Sequence, residues 1–291
     1  MDERALLELL ADELPSAGDD AAAVNGLVVT TDMLHASTDF PDGTTRYTAG
    51  WRAVGASLSD AAAMGAEAVA TVAAYGAPAF DAEDVRAFVS GARDVSELVG
   101  GAYVGGDVDA HEEFTVATTA VGRADDPVYR DGASPGEAVC VTGTLGRTAA
   151  ALRLFEGGET ERGNDLFRFE PRVTAGRSAA PHATAMMDSS DGLARSLHQL
   201  AEASDCGFSV RSGRIPIDDA VREVSVDAGE ALDLATTVGE DFELVFTLPE
   251  EAIAPVREAS PTSIARIGSV TEAGVDLDGE PLPDRGYAHG A

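Results

Sequence analysis

Lysine is absent from all 291 residues, so each of the 20 basic side chains is an arginine. That absence excludes the P-loop, whose lysine reaches the terminal phosphates of a nucleotide, and it excludes Schiff-base chemistry. Cysteine is scarce: Cys140 and Cys206 stand alone in apolar surroundings and read as core residues rather than as a disulfide, metal or redox pair. The five histidines, at positions 35, 111, 182, 198 and 289, follow no metal-ligand spacing and are expected to be surface or core residues. No run of 18 apolar residues occurs, and the first 30 residues have neither a basic start nor a continuous apolar stretch. The expectation is a soluble, cytoplasmic protein with no membrane partner.

Acid fills the composition instead. Asp and Glu number 51, the formal net charge is -31, and 44% of the residues are hydrophobic, which describes a folded chain adapted to high salt rather than a disordered acidic tail. In molar salt the Debye length falls to about 3 Å, which makes this charge density tolerable there and self-repelling in dilute buffer. Nucleic acid is a poor partner for such a chain, because phosphate binding needs a basic footprint. A phosphorylated ligand must therefore arrive with cations.

Periodicity gives mixed α/β structure. Leucines at 6, 7, 9, 10 and 14 predict a short helix that Pro15 ends, and residues 27–33 predict a strand. Helices are expected over 47–65 and from 81 to 98, and strands over 67–75, 102–104 and 113–123. A polar segment rich in Gly and Pro, residues 124–136, marks the domain boundary, giving an N-terminal domain over 1–123 and a C-terminal domain over 137–291. In the second half, strands are expected over 138–142, 185–188, 208–211, 242–248 and 264–270, with helices over 148–155, 171–180, from 190, 218–224 and 230–237. Residues 157–163 are expected to form a polar loop, and 41–43 a mobile segment.

Acidic turns recur along this pattern. Asp19 and Asp20 follow Gly18; Thr30, Thr31 and Asp32 close the first strand. Such carboxylates and hydroxyls are the oxygen ligands that a hard cation selects. Asp60 lies inside a helix of small apolar residues, so either that face is wet or the acid binds something. Gly105, Gly106 and Asp107 form either a hairpin turn or a close backbone approach to a ligand. Asp188, Ser190 and Asp191 crowd a strand end and a helix start, where the last two either cap the helix or bind a ligand.

Seven motifs follow one another in order: GDDAAAV, TTDMLHASTDFP, SLSDAAAMGA, VGGDVDA, VTGTLG, DSSDGLARSLHQLAEASDCG and GEDFELVFT. Together, over roughly 18–248, they resemble the thiamine-monophosphate kinases. The resemblance implies a two-domain fold similar to aminoimidazole ribonucleotide synthetase, with the N-terminal sheet pairing across a homodimer. It implies phosphorylation of thiamine monophosphate by ATP and Mg²⁺. By that resemblance Asp20, Thr30, Thr31, Asp32, Asp60, Asp107, Asp188 and Asp191 match Mg²⁺ ligands. Gly106, Asp107, Arg130 and Ser190 match ATP contacts, and Glu240 matches a substrate contact. Tyr287 matches, loosely, an aromatic lying against the thiamine. Asp39 stands where many bacterial members carry a substrate-contacting histidine, so an acid either meets the cationic thiazolium there or the contact is lost. Selenophosphate synthetase is disfavoured because its N-terminal Cys and Lys are missing, and the hydrogenase maturation protein because its C-terminal Cys is missing. Two alternatives stay open: another ATP-using enzyme of the superfamily, and a noncatalytic binder of divalent cations.

Overall fold

Residues 13–14 and 18–286 are described by a computed structural model. The expected helix over 2–14, apart from residues 13–14, and Tyr287 lie outside them. The first half is a five-stranded sheet covered on one face by two helices. Strands β1 (Ala22–Val24) and β2 (Leu27–His35) pair antiparallel across Asn25 and Gly26, both at positive φ, as a two-residue hairpin requires. With β3 (Glu67–Ala77), β4 (Ala102–Ala110) and β5 (Thr115–Arg123) they form the order β1-β2-β5-β3-β4, in which only β3 and β4 run parallel.

Helix α1 (Arg46–Ala63) begins at Thr45, whose side chain accepts from the Thr48 N–H, and α2 (Ala82–Leu98) begins at Asp81, which accepts from Glu83 and Asp84. The two cross closely because glycines face each other's backbone. A Cβ on Gly50 would come within 2.1 Å of the Phe88 carbonyl oxygen, and one on Gly91 within 2.0 Å of that of Tyr47. Of the 18 residues of α1, 14 are buried, so this helix needs small side chains all round rather than one apolar stripe.

It is buried all round because the second half packs on its far side. There β6 (Ala138–Thr142), β7 (Ala185–Asp188), β8 (Gly207–Val210), β9 (Leu244–Leu248), β10 (Ile264–Thr271), β11 (Val275–Leu277) and β12 (Glu280–Pro281) form a sheet in the order β12-β11-β8-β10-β6-β9-β7. Its helices are α3 (Arg147–Glu156), α4 (Thr160–Phe167), α5 (Val173–Ala179), α6 (Leu193–Ser204), α7 (Asp219–Val224), α8 (Ala228–Thr237) and α9 (Ile253–Ala259). One apolar core joins Leu58 and Ala62 of α1 to Met186, Leu244 and Phe246. Cys140 lies in that core as a free thiol, pushed up to about 12 by burial, and Cys206 is free and half-buried.

Three local expectations are corrected. Gly105 to Asp107 form no turn: β4 runs on to Ala110, and Gly105, at φ 144, takes up a register shift against β3. The expected loop over 157–163 is already helical from Thr160. Ser190 and Asp191 do not cap a helix, because α6 starts at Leu193 behind Gly192 with no side-chain cap. Among the described residues no helix is long and apolar enough to cross a membrane.

Candidate functional site

Three carboxylates converge from three parts of the fold. Asp20 precedes β1, Asp60 sits in the last turn of α1, and Asp188 ends β7; each offers an oxygen, and these lie within 4.8 Å of one another. Asp188 has no exposed surface. The C-terminal end of a helix carries partial negative charge, so Asp60 is unfavourably placed even before its neighbours are considered. Burial, with Asp32, Asp188 and Asp20 adding repulsion, raises the Asp60 carboxyl well above the usual range. Burial and Asp20 push Asp188 up to about 7 against hydrogen bonds from Ser59 and Ser190 that lower it. Asp19, raised to about 6 by burial and then by Asp20, belongs to the same group.

Arg130 is the basic side chain joined to this cluster. Its Nη2 lies 2.8 Å from Asp20 Oδ1, and its backbone N–H donates to Asp19. Burial works against its charge, but Asp20 and Asp19 outweigh that and hold it further above the ordinary arginine value. Hydroxyls complete the surroundings. Thr30 donates to Asp60 at 2.5 Å, Ser59 to Asp188 at 2.5 Å and Ser57 to Asp32 at 2.5 Å. A group of oxygen donors with such an acid excess fits a hard, oxygen-seeking cation such as Mg²⁺ and does not fit a soft metal.

The strand period sorts the other expected residues. Thr30 is buried on the helix-covered face of β2, whereas Thr31 is exposed, on the opposite face, where its hydroxyl donates to the Thr118 carbonyl. The Thr31 side chain is thus separated from the carboxylates. Asp107 is exposed on β4, accepting its own neighbour's N–H from Val108, next to Gly106, where a Cβ would meet the Ala73 carbonyl at 1.8 Å. Asp191 accepts from Gln199 at 3.4 Å. Asp39 is buried at 5% exposure and accepts from the His35 N–H and the Thr38 hydroxyl, so its carboxylate fastens its own loop. Its neighbour Phe40 lines an open cleft of about 610 Å³ with Pro41, Arg46 and Asp84.

Glu240, Asp241 and Glu243 form a second acidic group, each with a different partner. Arg52 of α1 donates to Glu240 at 2.8 Å. Backbone N–H groups of Gly146 and Thr148, at the start of α3, donate to Asp241 at 2.5 and 2.8 Å. Arg172 meets Glu243 with two nitrogens at 2.8 and 2.6 Å. Burial pushes Asp241 up to about 7 despite its two N–H donors. The Glu240 N–H donates to the Ser190 carbonyl at 2.6 Å, and the Ser190 N–H to Asp188 Oδ1 at 3.1 Å, so a chain of hydrogen bonds joins the two acidic groups.

Sequence reasoning missed Ser57, Ser59, Arg52 and Asp241. The two serines had a signal, since they share the small-residue helix with Asp60. Arg52 had none, because its partner lies 188 residues away.

Comparison with known proteins is consistent along the chain. Residues 18–124 match the model of the AIR synthase related protein N-terminal domain, and 134–278 that of the C-terminal domain. The thiamine-monophosphate kinase of Halobacterium salinarum is 61% identical over 291 residues, covering 99% of this chain and 100% of that protein. That of Methanospirillum hungatei is 41% identical, covering 99% of each. Among solved structures, AaThiL complexed with AMPPCP and TMP superposes with a TM-score of 0.91 at 28% identity, covering 99% of this chain and 97% of that one.

Proposed function

Since the chain belongs to the thiamine-monophosphate kinase family, within the AIR synthase related proteins, we propose that it transfers the terminal phosphoryl group of ATP to thiamine monophosphate, giving thiamine diphosphate. The observation that carries this reading is the convergence of Asp20, Asp60 and Asp188 with Arg130 paired to Asp20, an arrangement suited to ligands that bring both phosphate and cations. In this reading Asp20, Thr30, Asp32, Asp60 and Asp188 hold Mg²⁺, with Asp107 and Asp191 contributing at its margins; Thr31, whose side chain turns to the opposite face, has only its main chain to offer. When bound, the metal neutralises phosphate charge and acts as a Lewis acid and template. Gly106, Asp107, Arg130 and Ser190 serve ATP, while Glu240, Asp39 and Tyr287 serve the thiamine phosphate.

The acceptor oxygen belongs to a phosphate whose second pKa is about 6, so it is largely ionised at neutral pH and needs no strong base. Transfer is direct and in line, and positioning with charge neutralisation supplies the catalysis. Serine hydroxyls at 57 and 59 orient the carboxylates of Asp32 and Asp188. Arg130, half-buried beside Asp20, adds fixed positive charge near the phosphates.

A homodimer is part of the proposal. The sheet face opposite α1 and α2 leaves Leu27, Met33 and Val72 exposed, and a second copy would cover it. The decisive assay incubates the protein in molar KCl with Mg-ATP and thiamine monophosphate and measures thiamine diphosphate. No product under those conditions refutes the reading, and a phosphorylated aspartate trapped during turnover refutes direct transfer. Divalent-cation binding without ATP synergy, read by calorimetry, would favour the noncatalytic alternative.

A further inference from the structure

Arg52 has 1% of its surface exposed, the least favourable setting for a guanidinium unless something holds it there. It rises from α1 in the first half of the chain, yet its hydrogen bonds end on the second half. Nη1 donates to the Phe167 carbonyl at 2.7 Å; Nη2 donates to the Glu240 carbonyl at 3.2 Å and to Glu240 Oε2 at 2.8 Å. The guanidinium lies 3.6 Å from the centre of the Phe167 ring, with Phe169 and Phe242 at 5.6 and 5.5 Å. Those last two rings stack on each other at 4.3 Å, so the cation sits in an aromatic cage with one carboxylate in reach.

Glu240 needs this restraint. Its φ is 66°, in the left-handed region that a side-chain-bearing residue adopts at a cost, and Phe242 two residues on is at 54°. Its N–H is fixed to Ser190, and its carbonyl also accepts from the Thr148 hydroxyl at 2.7 Å. The second half therefore fixes the backbone through Ser190 and Thr148, with Arg52 adding a longer bond at 3.2 Å, while the carboxylate is directed by Arg52 from the first.

We infer that Arg52 is a positioning residue that aims the Glu240 carboxylate at the thiamine moiety, across the seam between the two halves. This rests on Glu240 being the substrate contact. An ion pair buried on one side and 17% exposed on the other leaves the carboxylate oriented yet reachable, as a contact to a cationic ring requires. The aromatic cage keeps Arg52 in place whether or not substrate is bound, so the orientation precedes binding.

The test separates the two substrates kinetically. Arg52→Met is expected to raise the KM for thiamine monophosphate about tenfold or more and to leave the KM for ATP within about twofold, and Arg52→Lys, which keeps the charge but loses the planar fork, is expected to raise it by a smaller factor. In a double-mutant cycle, Glu240→Gln with Arg52→Met should be no worse than Glu240→Gln alone. Circular dichroism in molar KCl checks folding; if Arg52→Met does not fold, Arg52→Lys carries the test, with a KM rise confined to thiamine monophosphate expected. Equal rises in both KM values, or additive effects in the cycle, overturn the proposal. Glu240→Gln impaired with both Arg52 variants normal overturns it alone, whereas a normal Glu240→Gln overturns the substrate contact on which it rests.

Discussion

Neutralising Asp60 should make the metal-free protein more stable and the working protein inactive. The three oxygens of Asp20, Asp60 and Asp188 lie within 4.8 Å. At an effective dielectric constant of about 20, two full charges at that separation repel by about 3.5 kcal/mol, and Asp60 takes part in two such pairs. The ion pair of Asp20 with Arg130, and proton uptake by the raised carboxyls, relieve part of this. About 2–4 kcal/mol is left for Asp60→Asn to recover. The substitution keeps the carbonyl oxygen that accepts from Thr30, so little is lost in exchange. Molar salt does not erase the effect, because a buried group is screened far less than a surface one. Denaturant unfolding at pH 8 in constant KCl, with EDTA or with Mg²⁺, reads both sides of the argument. Wild type should be the weaker protein in EDTA and gain strongly from Mg²⁺, while Asp60→Asn should start higher, gain little and show no turnover. A variant less stable than wild type in EDTA, or one that gains equally from Mg²⁺, would refute the repulsion and its link to metal.

Dialysis from molar KCl into dilute buffer should abolish the folded circular dichroism signal, since -31 charges then repel over longer distances; an unchanged spectrum would contradict the salt adaptation. Met33→Asp should convert a dimer to a monomer in light scattering at high salt, without loss of folding, because Met33 is 59% exposed on the open sheet face. Asp241 is raised from 3.8 to about 7 by burial, so the folded state binds the extra proton and stability should fall as pH climbs from about 4 to 7. Asp241→Asn should flatten that slope by up to about 4 kcal/mol, measured as the wild-type-minus-variant difference; parallel profiles would sink the assignment. In the folded protein a thiol reagent at pH 8 should label Cys206 alone, and Cys140 only after unfolding, as mass spectrometry can show.

Periodicity carried most of the fold. Strands β2, β5, β6, β7 and β9, and helices α1 and α2, lie within a residue or two of where apolar spacing puts them: β2 and β5 alternate, while β6, β7 and β9 are short apolar runs buried on both faces. The GGD segment departs from this pattern. Two glycines favour a turn locally, but β3 supplies hydrogen bonds that keep β4 extended, and no local signal reports a partner strand. The Asn25-Gly26 hairpin had a strong local signal that went unread. At the site, the isolation of Asp60 among small residues was legible as an energetic anomaly, while its meeting with Asp20 and Asp188 required the closed fold. The pairing of Glu243 with Arg172, and of Glu240 with Arg52, is likewise a product of tertiary packing.

Strand β2 holds Thr30 and Asp32 toward the carboxylates and Thr31 and Met33 toward the open face, with every residue from Leu27 to His35 paired to β5 in unbroken register. Such a strand behaves as a two-sided key. Inserting a single residue near Leu27 would reverse every side chain beyond it, putting Thr31 where Asp32 points and carrying aspartate out to the open face. Length variation within β2 is therefore closed to this chain, and any drift in its sequence must proceed by substitution on one side at a time.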